Sequence, residues 1–210
     1  MKNTFKKINF LVLGLVVAVG FSACMKDDIE VYDYQKFLDL EAPMLEAYVK
    51  TEPGLENAVR DSASGIWYKI IEPGLQDTTD EANFYKYNIN SANAIEAPRV
   101  RVNYEGKLVT SGVVFDEADM EAGKYLSLGR VISGWQIAFL PKRIKDRQGN
   151  MRNVGGLTTI GLQKGAKIRF VLPSPYGYQN VAQGSIPANS PLDFYIEVLE
   201  VKPPAAPSAN

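Results

Sequence analysis

Leu192-Asp193-Phe194-Tyr195-Ile196-Glu197-Val198 is the stretch on which the fold turns. Apolar Leu192, Phe194, Ile196 and Val198 alternate with Asp193, Tyr195 and Glu197. Side chains of a strand point to opposite faces in turn, so a period of two describes a strand with one face in a core. The same alternation recurs upstream. Ile168, Phe170 and Leu172 alternate with Arg169 and Val171, and Val100, Val102 and Tyr104 with Arg101 and Asn103. Ile66, Tyr68 and Ile70 form a fourth run, ended by a turn at Glu72-Pro73-Gly74. Half-buried strands of this kind belong to antiparallel sheets. Their apolar faces need a cover, and the segment Ile132 to Leu140 offers Ile132, Trp135, Ile137 and Leu140. A short helix lying across a curved antiparallel sheet satisfies both partners. Periodicity thus predicts an α+β fold with its body at residues 64–202.

The flanks read differently. Within residues 24–63, a tether and a short helical arm are expected. Tyr34, Phe37, Leu38, Leu45, Tyr48 and Val49 recur at roughly helical spacing. Pro43 and Pro53-Gly54 interrupt the pattern and predict two short helices, packed on their own domain. Two segments read as insertions. Residues 75–98 make a long connection, and residues 141–156 carry Lys142, Arg143, Lys145, Arg147 and Arg152 before Gly155-Gly156. The basic segment suggests an acidic partner or a solvated loop. The tail, 203–210, is expected to be disordered.

Composition limits the chemistry. The chain has 210 residues, a formal net charge of -1 and no histidine. The charge gives no electrostatic case for nucleic acid. Lack of histidine removes the commonest general base and metal ligand. A single cysteine, Cys24, rules out a disulfide or a redox pair within one chain. No cofactor and no metal are expected.

The N-terminus reads as an export address. Lys2, Lys6 and Lys7 precede an apolar run from Phe10 to Val19, then small residues and Cys24. Phe21-Ser22-Ala23-Cys24 resembles a bacterial lipobox, with Phe21 in place of the usual leucine. The resemblance implies a signal peptide at 1–23, lipidation of Cys24 and anchorage to the cell envelope, periplasmic or cell-surface. Cys24-Met25-Lys26-Asp27-Asp28 is similar to the acidic export tag of surface lipoproteins of the Bacteroides group. Loss of residues 1–23 removes three lysines and no acids, leaving a net charge of -4.

Within the body, Val102-Asn103-Tyr104-Glu105-Gly106 followed by Phe115-Asp116 resembles the opening of the FKBP-type peptidyl-prolyl cis-trans isomerases. Leu128-Gly129 through Val131-Ile132-Ser133-Gly134-Trp135 resembles that family's Leu-Gly and Val-Ile-x-Gly-Trp segment. Gly165-Ala166-Lys167-Ile168 is similar to its next core strand. Pro173-Ser174-Pro175-Tyr176-Gly177-Tyr178 and Ile186-Pro187 through Leu192-Asp193-Phe194 resemble its later loop and last strand. Ser64-Gly65-Ile66-Trp67-Tyr68 resembles the opening strand of bacterial members. The order of these fragments across residues 64–201 carries the resemblance.

The resemblance implies about five strands wrapped around one short helix, and prolyl isomerisation of exported polypeptides as the activity. That reaction breaks no bond and needs no histidine. Trp135 would be the floor under the proline ring, with Tyr104, Phe115 and Phe194 as walls. Val131 and Ile132 would line one side, the Ile132 N–H donating to a substrate carbonyl. Tyr176 would donate from the opposite loop, Ile186 would close the rim, and Asp116 would be a polar group at the edge. Partners implied are proline-containing polypeptides, the membrane through the lipid, and macrolide inhibitors. Two departures stand out. Residues 178–185 hold no histidine, and Lys124-Tyr125 falls where members often carry a wall aromatic. A catalytically weak module binding a proline segment or a partner lipoprotein is the competing reading.

Overall fold

The structure is a computed structural model that describes residues 32–118 and 122–204. The expectations placed on the signal segment, on Cys24 and on the tail from residue 205 lie outside the described residues. The elements are α1 (Tyr34–Thr51), β1 (Val59–Arg60), β2 (Trp67–Pro73), β3 (Arg99–Leu108), β4 (Val114–Glu117) and β5 (Lys124–Ser127). There follow α2 (Ser133–Phe139), β6 (Arg143–Lys145), β7 (Met151–Asn153), β8 (Ala166–Leu172) and β9 (Leu192–Lys202).

All strand pairs of the main sheet are antiparallel, in the order β1-β2-β8-β9-β3-β4, with β5 also paired to β3. The four alternating runs of the sequence are β2, β3, β8 and β9, three of them at the sheet's centre. Their register puts Phe194 opposite Phe170 on one side and opposite Gly106 on the other. One face therefore buries Val102, Tyr104, Ile168, Phe170, Phe194 and Ile196. The helix α2 covers that face with Trp135, Ala138 and Phe139; of the four residues expected there, Trp135, Ile132 and Ile137 pack on this core, while Leu140 joins a separate one. Gly134 permits the close approach: a Cβ there would stand 2.7 Å from Leu172 Cδ2.

The opposite face of the sheet carries Arg169, Val171 and Asp193, and α1 lies over it. Leu45, Val49 and Leu55 pack with Val109 and Val171 in a second core. The expectation of two short helices is corrected here, because one helix runs through Pro43 and stops only before Pro53-Gly54. Proline inside a helix removes the bond to the carbonyl four residues earlier. Pro43 and Asp39 both lie on the exposed side, where water can take that carbonyl. The inward side is held by Glu41, Leu45 and Val49, so burial outweighs the lost bond. Asp33 caps the start, its side chain accepting from Lys36 N at 3.0 Å.

The two inserted segments meet each other. Tyr85, Tyr87 and Ile89 of the long connection pack with Leu140 and Ile144 in a third core. β6 and β7 form a hairpin whose turn is tied by Asp146 Oδ1, which accepts from Gln148 N and Asn150 N. Ile144 faces the core while Arg143 and Lys145, on either side of it, are exposed. Among the described residues, no helix is long and apolar enough to cross a membrane.

Candidate active site

One end of α2 and the strands beneath it frame a cleft of about 200 Å³. Its walls come from β3 (Tyr104), β4 (Phe115, Asp116), α2 (Trp135) and β9 (Phe194), with Val131 and Ile132 on the approach to the helix. The aromatic rings hold one another edge to face. The Trp135 ring lies 5.2 Å from Tyr104 and 5.4 Å from Phe194, at interplanar angles of 86° and 87°. Phe115 meets Phe194 the same way at 5.6 Å. Such pairs lie in the favoured T-shaped range and fix the rings beyond what area burial alone would do.

The close packing of these rings depends on Gly106. It sits between Phe194 and Asp116 in the strand register, and a Cβ would fall 2.6 Å from Phe115 Cζ and 2.8 Å from Phe194 Cε1. A side chain at 106 would thus push two walls apart. The Tyr-x-Gly spacing of β3 puts a wall aromatic at one position and the room for two others two residues later.

A polar chain runs along the rim. Tyr104 Oη donates to Asp116 Oδ2 at 2.6 Å, and Lys124 Nζ donates to Tyr104 Oη at 2.8 Å. Lys124 Nζ also lies 3.8 Å from Asp116 Oδ2 and 5.4 Å from the centre of the Tyr104 ring. Burial, reinforced by the bond to Asp116, pushes the Tyr104 hydroxyl well above the ordinary tyrosine range. Tyr104 therefore stays a protonated donor at neutral pH. Burial, and after it the Asp116 charge, raise Tyr178 likewise.

The structure brings together Tyr104, Phe115, Asp116, Val131, Ile132, Trp135 and Phe194. It does not bring Tyr176 or Ile186 to the cleft wall. Tyr176 ends a 3-10 turn, Ser174–Tyr176, and packs half-buried against the main core, where burial raises its hydroxyl. Tyr178, two residues on, lines the cleft instead. Two tyrosines flank Gly177, and only the turn's geometry selects between them. Ile186 is 5% exposed and belongs to the main core rather than to the rim.

Sequence reading missed Leu126 and Arg130, which also line the cleft, and left Lys124 as an anomaly. Alternation along β5 would have found the pair Lys124 and Leu126, which share a face. A wider groove of about 640 Å³ lies elsewhere, walled by Glu81, Lys86, Lys164, Glu200 and Lys202. Its walls carry charges of both signs beside Phe84 and Tyr85, whereas the smaller cleft is built from four aromatic rings packed against one another, so the smaller cleft is the better chemical site.

Comparison with known proteins bears on the family of the chain. The family described as FKBP-type peptidyl-prolyl cis-trans isomerase matches residues 91–199. A probable FKBP-type peptidyl-prolyl cis-trans isomerase of Haemophilus influenzae is 35% identical over 151 residues, covering 69% of this chain and 46% of that protein. The FKBP-type peptidyl-prolyl cis-trans isomerase FkpA of Escherichia coli is 31% identical over 157 residues, covering 74% and 44%. The chain thus matches less than half the length of these two relatives. The crystal structure of FkpA from Escherichia coli superposes with a TM-score of 0.50 at 25% identity, over 80% of this chain and 62% of that one.

Proposed function

This chain belongs to the FKBP-type peptidyl-prolyl cis-trans isomerase family, and from that premise we propose that its cleft catalyses rotation about X-Pro bonds. The observation that carries the reading is the set of interlocked rings, Tyr104, Phe115, Trp135 and Phe194, open on one side and sized for one small ring.

The chemistry needs little more. Rotation about an X-Pro amide crosses a barrier of about 18–20 kcal/mol, set by loss of resonance. A catalyst must hold the twisted amide better than the planar one. The planar amide carries more charge separation, so a dry aromatic cleft disfavours it more than the twisted form. A thousandfold acceleration asks for about 4 kcal/mol. Trp135 serves as the floor for the pyrrolidine ring. The Ile132 N–H stands ahead of the first turn of α2, where the helix supplies no acceptor for it. It is therefore placed to donate to a substrate carbonyl. Asp116 and Tyr104 order the rim, and Tyr178 takes the part of second hydroxyl donor that sequence reading gave to Tyr176. Macrolide inhibitors are the ligand class that the family membership implies for the same cleft.

The N-terminal address extends the proposal to place and substrate. With residues 1–23 as signal and Cys24 as the lipid-bearing residue, the clients would be exported polypeptides and the site the cell envelope. Loss of radiolabelled lipid in Cys24→Ala is the expected result, and an unlabelled wild type would sink the anchor.

The decisive experiment is isomerisation of a short X-Pro-Phe peptide by the purified protein. Acceleration that falls in Phe115→Ala and in Tyr178→Phe, and falls less in Tyr176→Phe, supports both the activity and the wall assignment. No acceleration by the folded protein would overturn the enzyme and leave a proline-segment binding module.

A further inference from the structure

The cleft is aromatic on most sides, but one segment makes its remaining wall cationic. Lys124 and Leu126 of β5, then Arg130 and Val131, line it in succession. Resting on the isomerase reading of this cleft, we propose that the preferred substrates carry an acidic residue next to the proline.

Size puts the neighbours of the proline at the rim. A cleft of about 200 Å³ accommodates one ring, and successive Cα atoms stand about 3.8 Å apart. The residues before and after the proline must therefore lie along the rim, where Lys124 and Arg130 stand. The two cations act differently. Lys124 is engaged: it bonds Tyr104 Oη at 2.8 Å and lies 3.8 Å from Asp116. It offsets Asp116, the one carboxylate among the described residues of the lining, which would otherwise repel an acidic substrate. Arg130 ends the 3-10 turn Leu128–Arg130, is exposed, and makes no ion pair among the described residues. With Lys124 and Asp116 in balance, Arg130 leaves the described lining of the cleft with net positive charge. A guanidinium presents a planar fork of donors that matches a carboxylate bidentately. Glutamate or aspartate beside the proline fits this arrangement; lysine or arginine there meets like charge.

The test compares paired peptides that differ only as Glu against Gln, once before the proline and once after it. The readout is the ratio of kcat/KM within each pair, for one protein at a time. We expect a Glu preference of about two- to fivefold in at least one position, the range for a partly exposed charged contact. In Arg130→Ala the ratio should fall toward one, and in Arg130→Glu it should invert. In Lys124→Met the uncompensated Asp116 should lower it as well. Salt at 1 M, where the screening length is about 3 Å, should erase it. A ratio near one in the unaltered protein overturns the proposal, as does a Glu preference that survives both Arg130→Glu and high salt. Failure to turn over any peptide strikes the isomerase reading instead. The same ratios, measured as peptide affinities through the Trp135 indole signal, then decide the charge preference independently.

Discussion

Phe194 and Asp193 are neighbours on β9, yet they belong to two regions of opposite chemistry. Phe194 turns into the aromatic cleft, where the rings stand open on one side. Asp193 turns to the other face and is 2% exposed beneath α1. There Arg169 bonds it twice, through Nε at 3.1 Å and Nη2 at 2.6 Å, and Tyr48 Oη adds a third bond at 2.8 Å. Arg169 also reaches Glu52 at 2.6 Å, at the end of the helix. Burial by itself would lower the Arg169 pKa, but the bonds and charges of Asp193 and Glu52 outweigh it and hold it above the ordinary range. A little further along, Glu41 accepts from Ser174 N at 2.7 Å and shares a 2.5 Å bond with its hydroxyl.

The difference teaches which face of a sheet is free to work. On the α1 face, Asp193, Arg169 and Glu41 are covered and bonded within the chain. On the α2 face, apolar groups are only partly covered, and the uncovered part is a surface that an apolar ring can complete. Mutations should separate accordingly: seam changes should act on stability and cleft changes on catalysis.

The largest expected effect tests the seam. Arg169→Met leaves Asp193 as a buried charge without its main partner, a situation that costs about 3–5 kcal/mol. Denaturant unfolding should show that loss, while kcat/KM of the protein that remains folded changes little. A loss in kcat/KM as large as the loss in stability would join the two regions and break the comparison.

Next comes the cleft. Phe115 packs against the core without being buried in it. Phe115→Ala should lower kcat/KM about tenfold, equivalent to about 1.4 kcal/mol of transition-state stabilisation, and cost little stability. Equal kcat/KM in variant and parent would show that the wall is packing alone.

The smallest effect is a pH dependence of the seam. Burial raises the Glu41 carboxyl above its ordinary value of 4.5, more than the two Ser174 bonds lower it. A folded-state pKa above the unfolded one means that the stabilising contribution is complete below pH 4.5 and is lost as pH rises through the raised value. Glu41→Gln should flatten that decline, read as denaturant midpoints at a series of pH values upward from 4.5. An unchanged slope would place the pH dependence elsewhere.

Much of this arrangement was legible in the sequence. The period of two along residues 192–198 marked both faces of β9, because strand geometry makes parity the same thing as side. The Tyr-x-Gly of β3 and the Gly-Trp of α2 carried the family resemblance, and the structure sets seven of the nine proposed site residues around one cleft. What failed did so for local reasons. Pro43 reads as a helix break in any sequence, yet it is tolerated on a side where water replaces the lost donor. Tyr176 and Tyr178 are equivalent in composition, and a single 3-10 turn decides which one lines the cleft.

The sequence by itself determined the strands, the covering helix, the aromatic set and the absence of histidine chemistry, since each is a property of spacing or composition. Tertiary structure alone decided that Asp193, a polar residue on the outward parity, is buried under α1 with the half-buried Arg169 bonded to it. It alone put Lys124 on Tyr104 and Arg130 on the same wall. The reason is physical: alternation specifies which face a side chain takes, but what comes to cover that face arrives from residues far away along the chain.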